Sequence, residues 1–349
     1  MSKNNNLFVS ALKALREEII SNKYPLQSKL PCETELAKKL NIGRSTLRKV
    51  LDALKQEGLI ESIKGSGSFI CNKNIIRYIP IIISHNDANY RKTEILKGIQ
   101  DSLNQNGFSP LLTFYDSDPK KEVELILKLV DEGHKNLIIY PLSSESNVSF
   151  YQQMIRKGIN LVFIDILPNT ITCDYVTSCN FLGGYNATRK LIDLGHKKIV
   201  FCSLFDPNSI NTICERYNGY ISALEQHKLN FSNDMIFIRK DMNNDEFINH
   251  IIANFSSTAI FASSDELAVL LNNKLSSLNK TLPAIIGFDN SIIAESINLA
   301  SINQDFYEIG KTAAELLYKR ILKPTKNFEH IYIPISLIER SSLTKTSEH

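Results

Sequence analysis

Residues 29–70 decide the fold of the N-terminal part of the chain; they read KLPCETELAKKLNIGRSTLRKVLDALKQEGLIESIKGSGSFI. Within them, residues 44–57 repeat apolar side chains at the spacing of an amphipathic helix: Leu47, Val50, Leu51 and Leu54. Gly58 ends that helix, and the apolar face of residues 33–40 predicts a shorter helix before it. A further helix is predicted upstream, over residues 7–22. Two short helices followed by alternating strand residues are typical of a winged helix-turn-helix.

The glycines Gly65 and Gly67 allow two interpretations. A phosphate-binding loop would need a third glycine and an enclosing parallel βα unit, and neither is present. Alternating apolar residues on both sides instead predict an antiparallel hairpin, in which the glycines permit a tight turn and a close approach to another surface.

The outward side of the 44–57 helix carries a group of polar and basic residues on its first turns: Arg44, Ser45, Thr46, Arg48 and Lys49. Such side chains can reach base edges and phosphates from the N-terminal end of a helix in the major groove. The alternative is an ordinary solvated helix face. Charge supports the first interpretation, because residues 1–78 hold 14 Lys and Arg against 7 Asp and Glu, while the whole chain has a net charge of only +3.

This N-terminal segment resembles the DNA-binding domain of the GntR family of bacterial regulators, through its L-P-x-E-x-E-L start, R-x-T-x-R helix, E-G-L-I exit and G-x-G turn. The resemblance implies double-stranded operator DNA as a partner. It places the DNA contacts on Arg44, Ser45, Thr46 and Arg48, and the wing on Lys64, Gly65 and Gly67. Lys49 and Thr34 are further candidates, although many members carry Arg at the position of Thr34. Cys32 and Gly43 replace frequent serine caps.

From Tyr78 onward, short apolar runs alternate with amphipathic helices. The first series has strands near 78–84, 109–115, 135–142 and 159–166, and helices near 92–106, 120–132 and 147–157. The second has helices near 181–194, 212–227, 245–254 and 265–278, and strands near 197–202, 235–240, 258–263 and 283–289. Continuous apolar runs are typical of buried parallel strands, so two series predict an α/β body of two lobes with doubly wound parallel sheets.

This body resembles the LacI/GalR effector domain, which is similar to periplasmic sugar-binding proteins. The blocks that carry the resemblance include 96–108 (LKGIQDSLNQNGF), 183–199 (GGYNATRKLIDLGHKKI), 215–224 (ERYNGYISAL) and 301–317 (SINQDFYEIGKTAAELL). A GntR-type head on a LacI-type body is the layout of arabinose regulators. We therefore expect a DNA-binding domain over 1–70, a linker over 71–78, an effector-binding and dimerisation domain over 79–340 and a tail over 341–349.

In such a body the ligand lies between the lobes, outside the carboxyl ends of the strands. By resemblance, the sugar hydroxyls would be held by Asp165, Arg216, Asp289 and Gln304. Phe306 and Tyr90 are candidates for the apolar faces of the sugar ring. Ser264 stands where many relatives carry a ligand-binding Asn. The alternatives are a helix cap at Asp289 and a surface charge at Arg216, and Asp265 is expected to cap its helix. His134 and His196 are expected to be structural.

The leading hypothesis is a homodimeric, ligand-controlled transcription factor, a repressor of a carbohydrate-utilisation operon, with arabinose or another pentose as effector. A phosphorylated sugar or a nucleobase is an alternative effector. An enzyme is disfavoured because no G-x-S-x-G, HExxH or P-loop motif is present, and no cofactor or metal site is expected. Six cysteines without a CxxC pair, and no signal peptide or membrane span, indicate a cytoplasmic protein rather than a transport receptor.

Overall fold

The computed structural model describes residues 3–20, 23–63, 65–71, 77–84, 90–239, 242–254, 258–278 and 282–346. The chain separates into two compact units, Met1–Arg77 and Tyr78–His349. Lys64, most of the expected linker and the last three residues of the expected tail lie outside the described residues.

The described residues of the first unit form three helices and a hairpin: α1 (Lys3–Ile20), α2 (Glu33–Lys39), α3 (Arg44–Gln56), β1 (Ile60–Ile63) and β2 (Gly67–Ile70). The predicted winged helix-turn-helix is confirmed, and α1 begins four residues earlier than the sequence pattern indicated. The predicted stripe on α3 is buried and packs against α1. A buried ion pair supports this packing, because Arg16 on α1 donates to both carboxylate oxygens of Glu57 at 2.6 and 3.1 Å.

The hairpin has a fixed register, with Ile60 opposite Ile70 and Ile63 opposite Gly67. Its turn needs the glycines, since Gly65 and Gly67 adopt φ angles of 80° and 103° that other residues rarely tolerate. Residues 27–30 add a short third edge along β2, where Leu30 N–H donates to Ser68 O at 2.8 Å. The sequence pattern gave no sign of this edge.

The second unit contains two six-stranded sheets, one in each lobe. In the first lobe the strand order is β13-β7-β6-β5-β3-β4, and in the second it is β14-β12-β11-β10-β8-β9. The strands are β3 (Arg77–Ser84), β4 (Phe108–Tyr115), β5 (Asn136–Ile139), β6 (Asn160–Ile164), β7 (Asp174–Ser178), β8 (Ile199–Ser203), β9 (Ile236–Ile238), β10 (Ala259–Ala262), β11 (Ala284–Asp289), β12 (Ala300–Asn303), β13 (His330–Ile333) and β14 (Ser336–Ile338).

Helices cover both faces of each sheet. They are α4 (Tyr90–Gln105), α5 (Pro119–Asp131), α6 (Val148–Arg156), α7 (Asn180–Asp193), α8 (Asn211–Gln226), α9 (Asn244–Asn254), α10 (Asp265–Ser277), α11 (Ile292–Ser296) and α12 (Phe306–Leu322). Successive residues of a strand enter different cores: Leu161 and Phe163 of β6 face one, and Val162 and Ile164 face the other. This alternation explains why the strands read as continuous apolar runs.

The predicted doubly wound lobes are confirmed, although β7, β12, β13, β14, α11 and α12 were not among the predicted elements. Strand β14 runs antiparallel to β12 and closes the edge of the second sheet, while β13 joins the first sheet parallel to β7. The chain therefore passes between the lobes three times, after β7, after β12 and after β13. Crossings of this kind depend on the pairing of strands that are distant in the chain, which the local pattern of apolar residues does not reveal.

Each lobe contains one pair of helices that cross at glycines. In the first lobe, Gly98 of α4 and Gly310 of α12 face the partner backbone, and a Cβ atom on Gly310 would lie 2.0 Å from Ile95 O. In the second lobe, Gly184 of α7 and Gly219 of α8 do the same, and a Cβ on Gly184 would lie 2.1 Å from Arg216 O. The backbones touch only because these positions lack side chains.

The segment after β14 is packed against the second lobe as far as residue 346, so most of the expected tail is ordered structure. The Ser342 hydroxyl accepts from Ala300 N–H at 2.8 Å and donates to Ile285 O at 2.7 Å. Buried His196 bonds Thr344 O through Nε2 at 2.8 Å and Thr258 Oγ1 through Nδ1 at 2.8 Å. Because a carbonyl only accepts, Nε2 carries the proton. These bonds agree with the structural role expected for His196.

Candidate DNA-binding surface and effector cleft

The predicted DNA-contacting side chains lie on one exposed surface of the first unit. Arg44, Ser45, Arg48 and Lys49 are exposed on the first turns of α3, and Thr46 is half-buried. Thr34 of α2 belongs to the same surface, because Arg44 Nη2 donates to its hydroxyl at 3.4 Å. The two helices thus present one continuous polar surface, as a major-groove reader requires.

Glu33 of α2 was not among the predicted contacts, although it lies on this surface. Its carboxylate accepts from Arg48 Nε at 3.1 Å, so the guanidinium is oriented before any DNA arrives. The pair is largely exposed, and DNA could therefore replace the carboxylate as partner. The contact runs between two helices, which explains why the sequence pattern missed it.

The wing exposes Gly65 and Gly67 at its turn, and Lys64 lies outside the described residues. Lys29 was also missed: it comes before α2 in the sequence but lies beside the wing, with its Cε 2.9 Å from where a Cβ on Gly67 would sit. A lysine beside the wing adds positive charge where phosphates would approach.

Arg216 of α8 is the most heavily bonded of the candidate ligand residues on the second lobe and is only 2% exposed. Its Nε donates to Asn180 Oδ1 at 2.8 Å and its Nη1 to Ser263 O at 2.7 Å. The guanidinium lies 3.8 Å from the ring centre of Phe288, in stacking contact. These contacts fix the guanidinium plane, and they rule out the alternative of a surface charge.

Asp289 and Gln304 meet beside Arg216. Gln304 Nε2 donates to Asp289 Oδ1 at 2.5 Å, and Asp289 Oδ1 lies 3.9 Å from Arg216 Nη1. The Ser178 hydroxyl, at the end of β7, donates to Gln304 Oε1 and so ties this group to the crossing between lobes. Asp289 does not cap the next helix, since the Ser291 hydroxyl performs that role by accepting from Ala294 N–H.

The expectation that Asp265 caps its helix is wrong. Ser264 is the cap of α10, with its hydroxyl accepting from Leu267 N–H at 3.4 Å. The buried Asp265 carboxylate instead accepts from Ser291 N–H and from Ser301 Oγ, both at 2.6 Å, and braces the turn after Asp289. Ser264 is half-buried and already engaged by its helix; its role toward a ligand stays a prediction.

Asp165 lies at the end of β6 on the first lobe, with a left-handed φ of 63°. Its Oδ2 accepts from Tyr140 OH at 2.5 Å, while buried Oδ1 has no hydrogen-bond partner among the described residues. Lys92 of α4 approaches the same group, with Nζ 4.9 Å from the ring centre of Tyr140. A buried carboxylate oxygen without a partner is costly, so it indicates a site for a donor such as a ligand hydroxyl.

Glu215 precedes Arg216 on α8 and is half-buried. The pKa of its carboxyl is raised to about 6: burial is the main cause, the charge of Arg216 opposes the rise, and the charge of Asp165 adds to it. The carboxylates at Glu215 and Asp165 thus interact across the two lobes. A carboxyl group with a raised pKa between two lobes is typical of a ligand-binding cleft.

A hollow beside these groups joins both lobes, lined by Glu94, Asp289, Asn303, Asp305, Phe306 and Tyr307. Phe306 is 5% exposed and also belongs to the core of the first lobe, so it offers only an edge to a ligand. Tyr90 is the first residue of α4, and its side chain lies outside the described part. The structure therefore brings Asp289 and Phe306 to one hollow.

Sequence reasoning missed Asn180, Ser263, Lys92 and Tyr140, which hold or flank the predicted ligand residues. Lys92 and Asn180 lie in the first turns of α4 and α7. Tyr140 and Ser263 directly follow β5 and β10, and such positions at strand and helix ends were the available signal. Among the residues described, no group of three His, Cys, Asp or Glu side chains could hold a metal ion. In the same part of the chain, no helix is both long and apolar enough to cross a membrane.

Comparison with known proteins agrees with both halves of this arrangement. Residues 9–70 match the family described as bacterial regulatory proteins, gntR family, and residues 188–343 match a periplasmic binding protein-like domain. An arabinose metabolism transcriptional repressor of Geobacillus stearothermophilus is 26% identical, over 93% of this chain and 94% of the relative. The transcriptional repressor PurR of Haemophilus influenzae is 26% identical, over 86% of this chain and 91% of its own length.

Among solved structures, a LacI family transcriptional regulator from Enterococcus faecium with bound ribose is 26% identical and superposes with a TM-score of 0.66. The match covers 78% of this chain and all of that one. The predicted resemblance to GntR and LacI-type regulators is thereby confirmed. The chain is a transcriptional regulator that joins a gntR-family DNA-binding domain to a LacI-type, periplasmic-binding-protein-like effector domain.

Proposed function

We propose that this regulator is a cytoplasmic homodimer that represses a pentose-utilisation operon and takes arabinose as effector between its two lobes. The observation that carries the proposal is the buried group of Arg216, Asp289 and Gln304, opposite an Asp165 oxygen that has no hydrogen-bond partner among the described residues. Paired carboxylate acceptors and planar donors suit adjacent hydroxyls of a sugar. The repressor of Geobacillus stearothermophilus, named for arabinose metabolism, supports this choice of sugar.

DNA recognition is assigned to Arg44, Ser45, Thr46, Arg48 and Lys49 of α3, to Thr34 of α2, and to the wing with Lys64, Gly65 and Gly67. A homodimer would place two such surfaces on a near-palindromic operator. The excess of basic residues in this unit supports salt-sensitive binding through phosphates. Regulators that act on DNA in bacteria work in the cytoplasm, which gives the proposed location.

The ligand half is tested with Arg216→Ala and, as a matched control, Arg189→Ala on an exposed face of the same lobe. Arabinose, ribose, cellobiose and hypoxanthine serve as probes, and the shift in melting temperature is the readout. A ligand at 100 times its dissociation constant stabilises the folded state by about 2.7 kcal/mol. We expect arabinose to stabilise wild type and Arg189→Ala but not Arg216→Ala. A shift by another probe alone would refute arabinose, and equal shifts in both variants would refute the site.

The DNA half is tested by gel-shift titration of a duplex selected by the wild-type protein from a randomised library. Arg48→Ala should weaken binding by at least tenfold, because a good base contact contributes about 1–3 kcal/mol. Lys55→Ala, exposed in the last turn of the same helix, should retain affinity within about threefold. Equal affinity of Arg48→Ala and wild type would remove the assignment of α3. Sedimentation of the full chain tests the dimer.

A further inference from the structure

Asn211, the first residue of α8 in the second lobe, makes hydrogen bonds to the first lobe with both ends of its amide. Its Oδ1 accepts from Leu167 N–H at 3.0 Å and from Ser144 Oγ at 3.1 Å. Its Nδ2 donates to Tyr175 OH at 3.1 Å, and its own backbone N–H donates to Ser144 Oγ at 3.0 Å. One side chain thus joins three segments of the opposite lobe.

These bonds do not serve local capping of α8. A capping asparagine would accept from the backbone amides of its own first turn, and α8 has Ile210 at the cap position with no side-chain cap bond. All three partners of the Asn211 side chain lie more than 35 positions away in the chain. Both the oxygen and the nitrogen of the amide are therefore engaged between the lobes.

The partners lead directly to the predicted ligand residue of the first lobe. Leu167 lies two positions after Asp165 in the same turn, and Tyr175 OH donates to Asp165 O at 2.5 Å. On the other side, Arg216 follows Asn211 by about one and a half turns of the same helix. Asn211 therefore connects the helix that carries Arg216 to the turn that carries Asp165.

We propose that Asn211 is a positioning residue that holds the Asp165 turn against α8, so that an effector meets Asp165 and Arg216 at a fixed separation. This inference rests on the proposed function only in placing the effector between these two residues. Without the contact, part of the binding free energy of the effector would be used to bring the two lobes together. Asn211 thereby increases effector affinity without touching the effector.

The test uses the full chain with Asn211→Ala, and Asn218→Ala as matched control. Asn218 is an exposed asparagine on the same helix whose amide contacts only Cys214 among the hydrogen bonds described. Backbone amide hydrogen exchange, measured without any sugar, reports this contact directly, because the Leu167 N–H donates to Asn211 Oδ1. We expect exchange in residues 165–169 to be at least about fivefold faster in Asn211→Ala and unchanged in Asn218→Ala. Unchanged exchange in Asn211→Ala would overturn the proposal.

Ser144→Ala removes a partner of Asn211 on the opposite lobe. It tests whether Asn211 holds the Asp165 turn in place or only stabilises α8. In titrations with arabinose followed by melting temperature, Asn211→Ala should raise the half-saturating concentration by about tenfold, and Ser144→Ala by about threefold. The double variant should lose less than the sum of the two single losses, since the bond from Ser144 Oγ to Asn211 Oδ1 is removed by either change. Additive losses, or an unmoved midpoint in Asn211→Ala, would contradict the proposal.

If no probe sugar stabilises the wild type, the proposed effector fails, but the exchange comparison still decides whether Asn211 holds the Asp165 turn. If arabinose binds and exchange does not change, the effector proposal stands and the positioning role fails. The two results are therefore distinguishable.

Discussion

Replacing Gly184 by alanine should separate the two helices that position Arg216. The new Cβ would lie 2.1 Å from Arg216 O and 2.9 Å from Arg216 Cα, and both neighbours are backbone atoms. Side-chain rotation cannot relieve such a clash. To reach even 3.0 Å, α7 and α8 must move apart by about 0.9 Å. The variant therefore tests whether close helix contact orients the predicted ligand residue.

The magnitude follows from the neighbouring bonds. Arg216 on α8 donates to Asn180 on α7 at 2.8 Å, and a separation of about 0.9 Å lengthens this bond to about 3.7 Å, beyond hydrogen-bond range. Losing a buried bond to a charged group costs about 1.5–3 kcal/mol. Overpacking costs about 1–3 kcal/mol, and alanine returns about 1 kcal/mol through its higher helix propensity. The net loss of unfolding free energy should be about 1.5–5 kcal/mol.

Urea denaturation followed by circular dichroism measures this loss, and Gly310→Ala is the matched control. Its Cβ would meet Ile95 O at 2.0 Å, a comparable clash in the other lobe and away from Arg216. Both variants should lose similar stability, but only Gly184→Ala should also lose stabilisation by arabinose. A loss below about 1 kcal/mol in Gly184→Ala would show that the helices separate freely, and the reasoning would be refuted.

Four further predictions concern the two units. Cys32→Ser should raise the unfolding free energy of the first unit by about 0.5–1 kcal/mol, because a hydroxyl accepts more strongly than the thiol in the capping box that residue 32 forms with Glu35, whose carboxylate accepts from the residue 32 N–H at 3.2 Å; a thermal melt without a gain would contradict this. Glu33→Gln should steepen the slope of log affinity against log salt concentration for a random duplex by about one counterion, since Arg48 loses its carboxylate partner. Glu17→Gln, at an exposed position, should leave this slope unchanged. Fluorescence anisotropy titrations at several salt concentrations measure both slopes. Asp174→Asn should cost about 3–5 kcal/mol in urea denaturation, because buried Arg320 and half-buried Lys326 lose their shared carboxylate at 2.8 and 2.9 Å. Glu132→Gln in an exposed pair should cost under about 0.5 kcal/mol. The pKa of Glu215 is raised, mainly by burial, to about 6 in the folded protein, so folding favours the protonated carboxyl. Its contribution to the unfolding free energy is complete below the unfolded pKa and is lost as pH rises through about 6. In urea denaturation at pH 4.5 and pH 6.5, Glu215→Gln should therefore lose about 1 kcal/mol less unfolding free energy between the two pH values than wild type does.

The sequence by itself predicted the helices and hairpin of the first unit and most helices and strands of the second, but not β7, β12, β13, β14, α11 and α12. The stripe on α3, from Leu47 to Leu54, is buried as the helical spacing required, and Gly65 and Gly67 adopt the positive φ angles that a tight turn needs. The apolar runs of β8 and β11 are buried along their whole length. These features are local, since side-chain periodicity and backbone freedom depend on a few neighbouring residues.

Only the tertiary structure decided which distant side chains meet. The bond from Ser178 to Gln304, the brace of Asp265 on the Ser291 turn and the contacts of Asn211 with the opposite lobe join positions far apart in the chain. None leaves a periodic signal, because the first and third join opposite lobes and the second joins neighbouring strand ends of one sheet. Sequence could place Arg216 and Asp165 at strand and helix ends, whereas their orientation toward one cleft arises from packing over long range.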